Sequence, residues 1–121
     1  KFSNLPSVLG NKIQMEQLFE NLFSNSIKYR REDESLIIEV LHSKTNYGQL
    51  KVVVKDNGKG FDNNYADKIF DPFQRLDGTI EQIGSGLGLS ICKKIMLSHN
   101  GDIIAEGESG VGAKFIILFP R

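Results

Sequence analysis

Apolar residues recur along this chain in two rhythms. Over "LGNKIQMEQLFENLFSNSIKYRRED" they recur at four- to five-residue steps apart from the adjacent pair Leu22 and Phe23, at Ile13, Leu18, Leu22, Phe23 and Ile27, which predicts a long amphipathic helix. Asn11 is a suitable N-cap for it, and Gln14 completes a capping box. "SLIIEVLHS" and "QLKVVVKD" are short runs rich in Val, Ile and Leu. With "KTNYG" between them they read as an antiparallel hairpin. "NNYADKIFDPF" reads as a short helix that stops near Pro72, because the residue before a proline disfavours helix. "LGLSICKKIMLSHNG" is a second long helix, with Leu87, Ile91, Ile95 and Met96 on one side and Gly101 closing it. "GDIIAEGESGVGAKFIILFP" gives a second hairpin that turns at "ESGVG". The expected architecture is a two-layer α/β sandwich, with the strands in one layer.

Composition narrows the function classes. The 121 residues suit one domain, spanning 1–121, and 40% are hydrophobic, enough for a real core. Fifteen basic and fifteen acidic side chains cancel, so no bulk charge points to nucleic acid or an anionic membrane. No apolar run approaches the roughly 20 residues needed to span a bilayer, and no signal peptide pattern opens the chain. A single cysteine, Cys92, cannot form an internal disulfide, which fits a reducing cytoplasm. Starting at Lys1 without Met and ending in "FPR", the sequence is expected to be a fragment of a longer protein.

Four stretches can carry chemistry. Asn21, Asn25 and Lys28 fall at steps of four and three on one helix face, with Tyr29 beside them. Carboxamide oxygens and a cation suit a metal ion held on phosphates, although a solvated polar face has the same pattern. "KDNGKGFD" places Asp56 where an apolar strand leaves the sheet. Gly58 and Gly60 there allow a sharp turn close to something flat or charged, or simply a turn that Asp56 caps. "IFDPFQRL" sets Phe70 and Phe73 three apart, able to anchor a loop or to pack a helix end. Arg75 follows them, with a guanidinium fork shaped for phosphate. Finally, "GSGLGLS" opens the second long helix with Gly84, Gly86 and Gly88 at alternate positions. Free amides at a helix start make an anion site, and glycines admit phosphate to contact distance; a flexible loop is the plainer reading.

Order and spacing together are more specific than any one stretch. The set "NLFSNSIKYR", "DNGKGFD", "IFDPFQR" and "GSGLGLSICKKI" resembles the N, G1, F and G2 boxes of the catalytic ATP-binding domain of two-component sensor histidine kinases. That domain belongs to the wider superfamily of gyrase, Hsp90 and MutL. The resemblance runs from about residue 5 to residue 120. It implies a Bergerat-type fold, a mixed, mostly antiparallel sheet packed on about three helices, with ATP and Mg²⁺ as cofactors.

Roles follow from the resemblance by position. Asn25 would be the Mg²⁺ ligand. Asn21 would stand where the related ATPases put a water-activating Glu; an amide cannot act as a general base, which suits a kinase that protects ATP from water. Lys28 and Tyr29 would reach phosphate and line the nucleotide site. Asp56 would accept from the adenine amine, and Gly58, Gly60 and Phe61 would let the chain pass the base. Ile69, Phe70 and Phe73 would line the site and anchor a lid, with Arg75 on the γ-phosphate. Gly84, Ser85, Gly86, Leu87 and Gly88 would close over the phosphates. Asn21, Lys28 and Arg75 are the expected catalytic set.

Departures from the family pattern are also informative. "SHNG" stands where "HGG" is common, and Asn100 tolerates the left-handed conformation. Ala113 and Lys114 stand where a Ser-Thr pair is frequent, removing hydroxyls that can support the aspartate. The two histidines, His42 and His99, lack the following acidic residue of a phosphoacceptor. The substrate histidine is therefore expected on a separate dimerisation domain, with a response regulator downstream and this fragment monomeric. A stand-alone serine kinase of the anti-sigma-factor type and a nucleotide-sensing pseudokinase are the alternatives. The "IFDPFQR" box favours the histidine kinase over the first, and the glycines with Asn25 argue against the second.

Overall fold

The computed structural model describes residues 12–71 and 88–120. Helix α1 spans Lys12–Lys28, and strands β1 (Ile38–Lys44) and β2 (Leu50–Asp56) follow as a hairpin. Two single 3₁₀ turns, Asn63–Tyr65 and Lys68–Phe70, lead towards helix α2, Gly88–Ser98. Strands β3 (Asp102–Glu108) and β4 (Gly112–Leu118) form the second hairpin. The expected third helix is thus a pair of 3₁₀ turns. Asp62 caps the first by accepting from the Asn64 amide at 2.9 Å.

The sheet order is β1-β2-β4-β3, and every pairing among the described residues is antiparallel. The two hairpins join through β2 and β4, where Val54 faces Phe115 and Asp56 faces Ala113. Period-two alternation then sorts the side chains. Val52, Val54, Ile103, Ala105, Phe115 and Ile117 are buried towards the helices. The opposite face carries the row Leu41, Val53, Ile116 and Ile104, of which Leu41 and Ile104 are exposed.

The helix faces differ from the sequence expectation. Ile13 is 77% exposed and Ile27 is 50% exposed. A five-residue step from Ile13 to Leu18 turns the helix by about 140° beyond a full circle, so the two cannot share a face. The face that packs inward is Met15, Leu18, Phe19, Leu22 and Ser26. Each fully buried Leu or Ile contributes about 1.5–3 kcal/mol. On α2 the inward residues are Leu89, Ser90, Cys92, Ile95 and Met96, with Ile91 half-buried against them. Leu87 and the Asn11 cap lie outside the described residues.

The end of α2 also departs from expectation. The left-handed residue is Asn100, at φ 62°, and not Gly101. The Asn100 amide bonds Leu97 O at 3.1 Å and the Gly101 amide bonds Met96 O at 2.9 Å, a Schellman closure. Gly101 is small because a Cβ there would lie 2.2 Å from Leu118 O. Lys93 ties α2 to β3, donating to Asp102 Oδ1 at 2.7 Å and to Ile103 O at 3.0 Å. Burial alone would raise the Asp102 carboxyl, but Lys93 and the Ile103 amide together hold it below its ordinary value. No described helix is long and apolar enough to cross a membrane.

Candidate functional site

Strand β2 ends in a carboxylate that the fold has buried. Asp56 is 7% exposed, although its strand neighbours on that face are apolar. Both its oxygens are engaged: Oδ1 accepts the Gly58 amide at 2.9 Å, and Oδ2 accepts the Ser26 hydroxyl at 2.8 Å. One donor comes from the turn that follows the strand and the other from α1. The carboxylate is therefore fixed in two directions, and each oxygen keeps lone-pair capacity for a further donor.

Ser26 was not among the residues singled out in the sequence. Its signal was available: it lies four residues after Leu22 on the inward stripe, where a hydroxyl is costly unless bonded. The preceding residue, Asn25, is half-buried, and its Nδ2 is buried without a hydrogen-bond partner among the described residues. One turn earlier, Asn21 Nδ2 donates to Gly88 O at 3.4 Å, tying α1 to the first residue of α2. Lys28 is exposed, with Nζ 5.4 Å from the centre of the half-buried Tyr29 ring.

The turn after Asp56 owes its glycines to protein backbone. A Cβ on Gly58 would come within 2.7 Å of Tyr29 O, which also accepts the Lys59 amide at 2.8 Å. Gly60 has φ +67°, and a Cβ there would meet Glu108 O at 2.2 Å and Gly112 O at 2.7 Å. The end of α1 and the β3–β4 turn thus both press on residues 58–60. Phe61, Ile69 and Phe70 are buried in the core; Phe70 meets Phe115 edge-on at 6.4 Å.

Two further residues, unforeseen in the sequence, hold this turn. Asn57 Oδ1 accepts the Ile37 amide at 2.8 Å while its Nδ2 donates to Ser35 O at 2.9 Å. Arg31 donates from Nε to Asn57 O and from NH1 to Gly110 O, both at 2.9 Å, and pairs with Glu34.

Asn21, Asn25, Ser26, Tyr29, Asp56 and Gly88 are thereby gathered where α1, the turn after β2 and the start of α2 meet. Phe73, Arg75, Gly84, Ser85, Gly86 and Leu87 lie outside the described residues. A cavity of about 530 Å³ opens elsewhere, on the outer side of the sheet among Glu39, Lys55, Glu106 and Lys114. Of the described candidate site residues only Asp56 lines it, and across the four strands its row reads Glu39, Lys55, Lys114, Glu106, two lysines flanked by two glutamates. Among the described residues no three His, Cys, Asp or Glu side chains cluster as a metal cage.

Comparison with known proteins places the chain in a family. The family described as histidine kinase-, DNA gyrase B- and HSP90-like ATPase matches residues 10–121. Cyanobacterial phytochrome A of Nostoc sp. is 41% identical over 119 residues, 96% of this chain and 15% of that protein. The sensor protein kinase WalK of Staphylococcus saprophyticus is 41% identical over 109 residues, 88% of this chain and 18% of that protein. Among solved structures, full-length ShkA in complex with AMPPNP superposes with a TM-score of 0.78 at 27% identity, covering 98% of this chain and 24% of that one. The chain therefore spans less than a fifth of the two curated relatives.

Proposed function

From the premise that the chain belongs to the histidine kinase-, DNA gyrase B- and HSP90-like ATPases, we propose that it binds Mg·ATP and delivers the γ-phosphoryl group to a histidine on a separate domain. That domain would be the dimerisation and phosphoacceptor part of a two-component sensor kinase in the cytoplasm, with a response regulator receiving the phosphoryl group next. The observation that carries this reading is Asp56, a buried carboxylate clamped by Ser26 and the Gly58 amide. It stands beside the helical turn that holds Asn25, whose buried Nδ2 has no hydrogen-bond partner among the described residues.

The chemistry of these groups fits a purine nucleotide. A fixed carboxylate with lone pairs to spare accepts from an exocyclic amine and rejects a carbonyl at the same place. Asn25 would hold Mg²⁺ through its carboxamide oxygen, and its amide N–H could donate to a phosphate oxygen. When bound, Mg²⁺ would neutralise charge on the phosphates. Lys28 and Arg75 would add positive charge at the transferring end, so that catalysis rests on positioning and electrostatics. Asn21 offers no base to activate water, and the structure gives it a bridging contact to α2.

Calorimetry with Mg·ADP, together with a phosphate-release assay, tests the proposal. The expected result is saturable, Mg²⁺-dependent binding with negligible hydrolysis by the chain alone. Rapid hydrolysis by this chain would turn the reading from kinase to ATPase, and absent nucleotide binding would reject it.

A further inference from the structure

Ser26 occupies a position that helix packing alone would give to an apolar side chain. It is 1% exposed, on the stripe with Leu18 and Leu22, yet it carries a hydroxyl aimed at Asp56 Oδ2 at 2.8 Å. The two residues in register with Asp56 on the neighbouring strands are Ile38 and Ala113, and neither has a hydroxyl. The Gly58 amide restrains Oδ1 from within the same turn, which would still let the carboxylate follow any movement of that turn. The bond from Ser26 instead ties Asp56 to a different element. Ser26 also adjoins Asn25, so one turn of α1 sets both the carboxylate and the Asn25 Nδ2 that has no partner among the described residues.

We propose that Ser26 is a positioning residue for base selection: its hydroxyl holds the Asp56 carboxylate in one orientation, so that the site prefers a purine bearing a 6-amino group to one bearing a 6-oxo group. A carboxylate held by donors on both oxygens keeps its remaining lone pairs aimed in fixed directions, as acceptors for the base. A 6-amino purine satisfies it. A 6-oxo purine sets a carbonyl against it and leaves buried acceptors unpaired, which is how a site built around a hydrogen bond discriminates strongly. Without the Ser26 hydroxyl, Asp56 loses its tie to α1 and its oxygen is left to find another donor. The penalty then falls on the amine-bearing base alone. This inference rests on Asp56 being the base reader.

The test compares ADP with inosine diphosphate, which has a carbonyl in place of the amine, on the parent chain, Ser26→Ala and Ser26→Thr. The parent is expected to bind ADP at least about tenfold more tightly than inosine diphosphate. Ser26→Ala should lose about tenfold for ADP and less than about twofold for inosine diphosphate, the scale of one hydrogen bond to a charged group. Ser26→Thr keeps the hydroxyl and should restore most of the preference. If the parent itself fails to discriminate, Asp56 is not the base reader and the inference falls with that reading. If the parent discriminates and Ser26→Ala keeps the same ratio, or weakens both nucleotides equally, then Asp56 stands and Ser26 is only a buried structural hydroxyl.

Discussion

The Tyr29 carbonyl lies 2.7 Å from where a Cβ on Gly58 would sit, so the end of α1 and the turn after β2 touch backbone to backbone. Neither side can move cheaply, because Tyr29 O also accepts the Lys59 amide at 2.8 Å. Gly58→Ala should therefore cost about 1–3 kcal/mol of stability, the usual scale of overpacking. Gly60→Ala should cost more, since it adds a positive φ of +67° to a 2.2 Å contact. Urea unfolding of both variants checks the order; equal stability with the parent would mean that the turn relaxes freely.

Asp56→Asn replaces an acceptor-only group with one that also donates. ADP affinity should fall by roughly 1–3 kcal/mol, or about 5- to 150-fold. The fold should persist, because the Ser26 hydroxyl can rotate to accept from the new amide. Parental ADP affinity in this variant would remove Asp56 from base recognition.

Asn25 and Arg75 should separate by nucleotide. Asn25→Ala removes the carboxamide whose buried Nδ2 has no partner among the described residues and should weaken Mg²⁺-dependent binding of ADP and ATP alike. Arg75→Ala should leave ADP within a few fold, yet slow autophosphorylation by about 100-fold or more once the chain is joined to a dimerisation domain. Titration with ADP and transfer of labelled phosphate read the two effects. Normal transfer by Arg75→Ala would shift the γ-phosphate role to another cation, such as Lys28.

Cys92 is fully buried, with Sγ donating to Leu18 O at 3.6 Å. Burial pushes its thiol up from 9.0 to about 12, partly countered by Asn21. The folded state thus holds this proton more tightly than the unfolded state. The resulting contribution to stability is complete below pH 9.0 and is lost as the pH rises towards about 12. At pH 8 a thiol reagent should label the folded chain slowly and the urea-unfolded chain fast. Prompt labelling without unfolding would place Cys92 nearer the surface.

Arg31 links two turns through Asn57 O and Gly110 O. Arg31→Ala should lower stability by about 1 kcal/mol and loosen the turn that carries Gly58 and Gly60, detectable as faster amide exchange at Lys59 and Gly110. Arg31→Lys should recover little, since one ammonium does not reproduce the guanidinium fork. Unchanged exchange would show that the Gly110 amide's 2.7 Å bond to Lys59 O holds the turns unaided.

The order of elements was legible along the chain because each depends on local rules. The period-two runs became β1 to β4, the turns at 44–48 and 108–112 joined them, and the long helices formed where the apolar rhythm slowed. The four boxes, and with them the family, were also written in linear order. Tertiary structure decided what no local rule ranks. The pairing of β2 with β4 brings two hairpins together across about half the chain, so it depends on packing rather than on a turn. The inward face of α1 was misjudged at Ile13 and Ile27 because a helix with apolar residues on several sides buries the stripe that the sheet can cover. Gly58 and Gly60 were visible as glycines, but the carbonyls of Tyr29, Glu108 and Gly112 that require them arrive only on folding. Ser26 stood in the sequence as a polar interruption of an apolar stripe. Its meaning depended on Asp56, thirty residues away, being carried by the sheet to 2.8 Å from its hydroxyl, where a buried donor and a buried carboxylate each supply the partner that water no longer can.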